Sequence, residues 1–69
     1  MRLFFFVDGD QVAAFEADSI PRVDDAVWIK TVDYENTLIV KAIEHEFDRS
    51  TVDRYKSHDV SLTCILKQQ

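Results

Sequence analysis

The apolar run LFFFV at residues 3–7, directly followed by Asp8-Gly9, constrains the fold of this chain more than any other feature. Asp-Gly after an extended run is a strong signal for a two-residue hairpin, because both positions tolerate the positive φ of a type I′ turn. Successive strand side chains point to opposite faces, so Phe5 faces away from Phe4 and Phe6. The sequence therefore predicts a hairpin whose first strand has large apolar side chains on both faces.

The rest of the chain has the pattern of further strands separated by turns rich in Asp and Asn. Alternating and β-branched segments predict strands at residues 2–7, 11–16, 26–32, 37–48 and 58–67. Pro21 fixes its own φ and holds Ile20 extended, which predicts a crossing segment before the third strand. Asp10 is also a possible N-cap, so a short helix or helical turn at residues 11–17 stays open as the alternative to the second strand.

The long fourth strand changes phase near its middle. Leu38 and Val40 share one parity. Ile43 and Phe47 share the other, and a bulge or bend at residues 41–42 reconciles the two halves. Such bends let a small sheet curl. We therefore predict a single domain covering all 69 residues, mainly β, with five strands in a strongly bent small barrel.

The segment PRVDDAV at residues 21–27 resembles the Pro-x-x-Gly-Asp-x-Val pattern that begins a strand in many SH3-like barrels. Short proteins of phages and mobile elements are among the proteins with that pattern. Asp24 stands where the pattern has glycine. The resemblance implies an SH3-like barrel, and because such barrels serve many unrelated functions it implies no particular activity.

Composition excludes several classes of protein. A single cysteine allows no internal disulfide, and no Cys/His spacing typical of a structural zinc site occurs. Thirteen acidic against eight basic side chains give a net charge of −5, which disfavours binding to nucleic acid. No run approaches the roughly 20 apolar residues of a membrane span, and the run at residues 3–7 is too short for a signal peptide. We expect a cytoplasmic protein without a cofactor or a membrane contact.

Few residues have the pattern of a catalytic or metal site. His45 and His58 become diagonal neighbours if the last two strands pair antiparallel, so they form either a surface pair or a shared metal site. Cys64 shares its parity with Val60 and Leu62, which predicts a buried thiol rather than a nucleophile. One glycine allows no phosphate-binding loop. We therefore predict that the chain is not an enzyme.

The aromatic residues indicate an interface. Phe4, Phe6 and Trp28 lie on strand faces whose opposite parity already supplies a core. Either parity could be the inner one, and the other then carries surplus apolar side chains. Small domains without disulfides or metals often gain stability by association. The leading interpretation is an acidic protein-interaction module that binds a second copy of itself or another protein, with Tyr34 or Arg22 at a polar rim. The barrel itself could also cover these rings.

Two rival interpretations belong to other classes. One is a small acidic inhibitor that mimics nucleic acid toward a basic partner protein. The other is a metal or catalytic site at the two histidines.

Overall fold

The computed structural model describes residues 1–48 and 57–68, which form one sheet of five strands. The order across the sheet is β2-β1-β5-β4-β3, and every neighbouring pair is antiparallel except β1 with β5. The predicted five-stranded, mainly β architecture is confirmed. The polar segment at residues 49–57 between the last two predicted strands is expected to form a loop, and all of its residues except Ser57 lie outside the described residues. The strands are β1 Arg2–Val7, β2 Asp10–Glu16, β3 Ala26–Lys30, β4 Glu35–Asp48 and β5 Ser57–Leu66.

The sheet is strongly curled, because its two edge strands contribute to the same core. Ala13 of β2 is 7% exposed and Ile29 of β3 is 3% exposed, and both belong to one buried cluster. In a flat sheet of this order the edge strands would lie four spacings apart, roughly 19 Å. The result is a half-barrel that is open between β2 and β3. The remaining core residues are Leu3, Phe5, Leu38, Val40, Val60, Leu62 and Cys64.

The predicted hairpin at the start of the chain is confirmed. Asp8 and Gly9 have φ values of 52° and 83°, as a type I′ turn requires. The turn returns the chain alongside β1, where Ala13 lies opposite Phe5 and is buried. The helix alternative for residues 11–17 is therefore wrong. Among the described residues no helix has the length and hydropathy needed to cross a membrane.

The predicted phase change of β4 is a β-bulge. The register of β4 against β5 shifts between Val40 and Ala42, which leaves Lys41 as the extra residue. Leu38 and Val40 before the bulge are buried, and Ile43 after it packs against the same core. The bulge thus lets both halves of β4 face the inside of the half-barrel.

The turn between β3 and β4 begins and ends two residues earlier in the chain than the sequence predicts. β3 ends at Lys30 rather than at residue 32, and β4 begins at Glu35 rather than at residue 37. The cause is a tight turn in which the Thr31 N–H donates a 2.7 Å hydrogen bond to the Tyr34 carbonyl. Only two residues lie between these partners, so the turn occupies residues 31–34, which is two residues earlier in the chain than the predicted strand ends place it.

A second tight turn positions the start of β3. The Asp25 N–H donates to the Arg22 carbonyl at 3.1 Å, and the Arg22 N–H donates to Asp25 Oδ2 at 2.8 Å. Asp24, the third residue of this turn, has a φ of 73°, as in a type II turn. Asp24, which stands where the SH3-like pattern has glycine, therefore has the left-handed backbone that glycine favours.

Candidate functional site

The outward-facing aromatic rings of β1 begin an uncharged surface. Leu3 and Phe5 occupy the core, which turns Phe4 and Phe6 to the outer face of the sheet, where both are half-buried. Phe6 lies opposite Thr63 of the neighbouring strand β5. The structure thus decides which parity of the LFFFV run is inside.

This surface continues across the sheet to its far edge. Ile65 of β5 lies opposite Ile39 of β4, which in turn lies opposite Ala26 of β3. Trp28 projects from the same face two residues further along β3 and is 64% exposed. The uncharged surface therefore connects the predicted anchors on β1 with the one on β3. We call it the outer band, and it consists of Phe4, Phe6, Thr63, Ile65, Ile39, Ala26 and Trp28.

Charged groups gather at one end of the outer face. Arg2 Nε and Nη2 donate hydrogen bonds to the two carboxylate oxygens of Asp59 at 2.9 and 3.0 Å. Hydrogen bonding to Asp59 and the negative charge of Asp59 raise the pKa of Arg2. The guanidinium carbon of Arg2 lies 5.7 Å from the centre of the Phe4 ring. Glu16 lies opposite Arg2, and Glu46 lies opposite Asp59. The outer band is thus bordered by an acid-rich end.

A nucleic-acid mimic would need its acids aligned along one ridge. Of the described acids, Glu16, Glu44, Glu46 and Asp59 share the acid-rich end of the outer face. Asp48 is the last residue of β4, and the others lie in or beside turns and connecting segments, namely Asp8, Asp10, Asp18, Asp24, Asp25, Asp33 and Glu35. The acids are therefore divided between one end of the sheet and several separate turns.

The two predicted rim residues lie away from β1. Tyr34 is in the turn between β3 and β4 and packs against the core, and Arg22 is in the type II turn before β3. Sequence reasoning missed Ile39 and Ile65, which complete the outer band. The available signal was an isoleucine at the outward parity of each of two strands whose alternate residues form the core.

The two histidines meet on the inner side of the ladder between β4 and β5. His45 lies opposite Val60, and Phe47 lies opposite His58, so the histidines are diagonal neighbours as predicted. His45 Nδ1 lies 2.9 Å from His58 Nε2, so one ring donates and the other accepts. The Phe47 ring stacks on His58 with centroids 4.4 Å apart and an angle of 15°. The sequence did not indicate this aromatic support.

The cysteine lies inside the half-barrel. Cys64 is 2% exposed, which confirms its predicted burial, and its Sγ donates to the Leu62 carbonyl at 3.6 Å. Burial raises the pKa of the thiol, so the reactive thiolate is disfavoured.

A groove marks the gap where the half-barrel does not close. It has a volume of about 640 Å³ and lies between Phe5 and Phe15 on one side and Trp28 on the other, and Pro21 also lines it. Asp25 supplies the charged side chain of its lining, and that carboxylate already accepts a backbone hydrogen bond. The groove is thus an apolar cleft without a cluster of titratable groups.

Within residues 1–48 and 57–68 no three or more His, Cys, Asp or Glu side chains converge as a metal site. No family model, no curated protein and no solved structure matches this chain.

Proposed function

We propose that this chain is a non-enzymatic protein-interaction module, a small SH3-like barrel that self-associates through the outer band. The supporting observation is the continuity of uncharged side chains from β1 across β5 and β4 to β3. Contiguous exposed apolar surface marks sites of protein association, and aromatic side chains are enriched at the centres of interfaces.

The absence of charged side chains from the outer band, rather than the net charge of the chain, favours a second copy as its occupant. Two copies that each carry −5 repel one another, so they approach best through a surface without charged groups. The outer band can lose its water without burying an unpaired charge, which is costly. A basic partner would instead be drawn to the acid-rich end.

The curvature of the sheet limits the contact. The outer face is the convex side of the half-barrel, and two convex faces meet over a smaller area than two flat ones. Stable interfaces bury about 1,200–2,000 Å² in total. We therefore expect a reversible dimer whose population depends on concentration. A two-fold axis near Ile39 would place Phe4 and Phe6 of one copy against the Trp28 end of the other.

Support for the SH3-like assignment comes from residues 21–27. These residues resemble the strand-initiating pattern of SH3-like barrels, including those of phages and mobile elements, and they end in the first two residues of β3. The left-handed backbone of Asp24 accounts for a glycine at that position in the pattern.

The test is the absolute mass in solution by light scattering over a tenfold range of concentration. We expect the wild-type mass to rise toward that of a dimer, and Trp28→Ser to shift the equilibrium to monomer by at least tenfold in Kd. Phe47→Ser is the matched control, because Phe47 is 65% exposed but lies outside the outer band. Phe6→Glu tests the other end of the band, with circular dichroism to verify folding.

A wild-type protein that stays monomeric at every concentration would overturn the proposal. So would a dimer that Phe47→Ser dissociates and Trp28→Ser leaves intact. If a monomer instead bound a basic protein, and Glu44→Gln with Glu46→Gln weakened that binding, the acid-rich end would be the functional surface.

A further inference from the structure

We propose that His45 and His58 form a binding site for one divalent transition-metal ion that prefers cis coordination, Cu²⁺ or Ni²⁺. The juxtaposition of His45 Nδ1 and His58 Nε2 at 2.9 Å carries this inference. Both histidines of the chain take part, and their side chains project from adjacent strands of one antiparallel ladder.

The separation of the two nitrogens selects the coordination geometry. Metal–imidazole bonds are about 2.0–2.1 Å long, so two ligands at 90° place their nitrogens about 2.9 Å apart. Tetrahedral ligands at the same bond length would place them about 3.4 Å apart. The 2.9 Å separation is that of the hydrogen bond between the two rings, and it equals the separation that a right angle requires. Square-planar or octahedral Cu²⁺ or Ni²⁺ can therefore bind without a change in the N–N distance, whereas tetrahedral Zn²⁺ requires it to widen by about 0.5 Å.

Binding exchanges one hydrogen bond for two metal bonds. The facing proton moves to the other ring nitrogen of the donor imidazole, so both rings remain neutral ligands and no net proton is released. Each ring then turns by about 45° so that the two lone pairs converge on the ion. Water completes the coordination, since His45 is exposed to solvent.

The surroundings of the pair help to hold the ligands in place. The Phe47 ring lies nearly parallel to both imidazoles, at 15° to His58 and 8° to His45. Its stacking on His58 at 4.4 Å limits tilting of that imidazole out of its plane, while the turn that binding requires lies within the plane. Pairing of β4 with β5 fixes the two backbones. Cys64, the one thiol of the chain, is buried and does not compete for the ion.

The test is calorimetric titration of the untagged protein with NiCl₂, and with CuCl₂ in a glycine buffer, beside two ligand variants. His45→Asn and His58→Gln place an amide where the coordinating Nδ1 or Nε2 stood, so a cross-strand hydrogen bond can still form while the metal ligand is lost. We expect one ion per wild-type chain, at least tenfold weaker binding in each single variant, and loss of binding in the double variant. Electron paramagnetic resonance of the Cu²⁺ complex should show two imidazole nitrogens.

Equal binding by the wild type and the double variant would overturn the proposal, as would a Cu²⁺ spectrum without imidazole nitrogens. Tighter binding of Zn²⁺ than of Ni²⁺ would overturn the cis geometry. Trp28→Ser should bind the ion like the wild type, so this result and the self-association of the chain are decided by separate measurements.

Discussion

At the scale of single residues, two turns depend on backbone that ordinary side chains resist. Asp8 and Asp24 are the non-glycine residues with positive φ among the described residues. Asp tolerates this region better than most residues, because its short side chain can bond locally to the backbone. Each of the two turns leads directly into a strand, so the conformation of one residue helps to set the position of a whole element.

We predict that a β-branched residue at position 24 destabilises the protein. Asp24→Val should lower the free energy of unfolding by about 1–2 kcal/mol, because a branched side chain is strained at positive φ. Asp24→Gly should leave stability within about 0.5 kcal/mol of the wild type, since relief of strain offsets the entropy of glycine. Urea unfolding followed by circular dichroism measures both changes.

The control is Asp33→Val, in a turn where Asp33 does not have a positive φ. It should change stability by less than about 0.5 kcal/mol. An Asp24→Val protein as stable as the wild type would show that the left-handed backbone at Asp24 does not form.

At the scale of elements, β4 is the strand that joins the two halves of the fold. Its 14 residues pair with β3 near the start and with β5 along most of their length. A straight strand of period two would turn one half of its apolar side chains to solvent. The bulge at Lys41 is therefore required if residues before it and residues after it are both to contribute to the core.

We predict that deletion of Lys41 costs far more stability than loss of its side chain. The deletion removes the extra residue, so either the Leu38 side or the Ile43 side must turn outward, at a cost of about 3 kcal/mol or more. Lys41→Ala keeps the bulge and removes only the exposed 3.2 Å ion pair with Asp24, at a cost below about 1 kcal/mol. Thermal unfolding compares the two variants, and equal melting temperatures would contradict the role given to the bulge.

At the scale of the whole molecule, apolar side chains are divided between two faces of one curled sheet. The inner face holds the buried cluster, and the outer face holds the uncharged outer band beside an acid-rich end. A chain this small buries only about 60% of the surface that its unfolded form exposes, so an apolar outer surface is a substantial share of what remains. Association through that surface would bury apolar area that the monomer leaves exposed to water.

We predict that salt strengthens self-association. Raising NaCl from 20 to 300 mM screens the repulsion between two copies of charge −5, while the contact through the outer band does not depend on charge. Kd from light scattering should fall by at least about threefold. A Kd that rises with salt would mean that opposite charges hold the copies together, which the outer band does not provide.

Much of the fold could be predicted because its signals are local. The Asp8-Gly9 turn, the phase change around Lys41 and the alternation around Cys64 each depend on a few neighbouring residues and on the period of a strand. The diagonal meeting of His45 and His58 also followed from antiparallel pairing alone. Strand ends at the β3–β4 turn could not be predicted as well, because a hydrogen bond between Thr31 and Tyr34 sets them.

The sequence by itself determined that the chain forms five strands, that one of them bends, and that it holds no internal disulfide. Only the tertiary structure decided which parity of the LFFFV run faces the core and that Ile39 and Ile65 join Phe6 to Trp28 across the sheet. It also brought Phe47 onto His58. The physical reason is that alternation tells which residues share a face of one strand. Strand order and register, set by contacts distant in sequence, tell which faces become one surface.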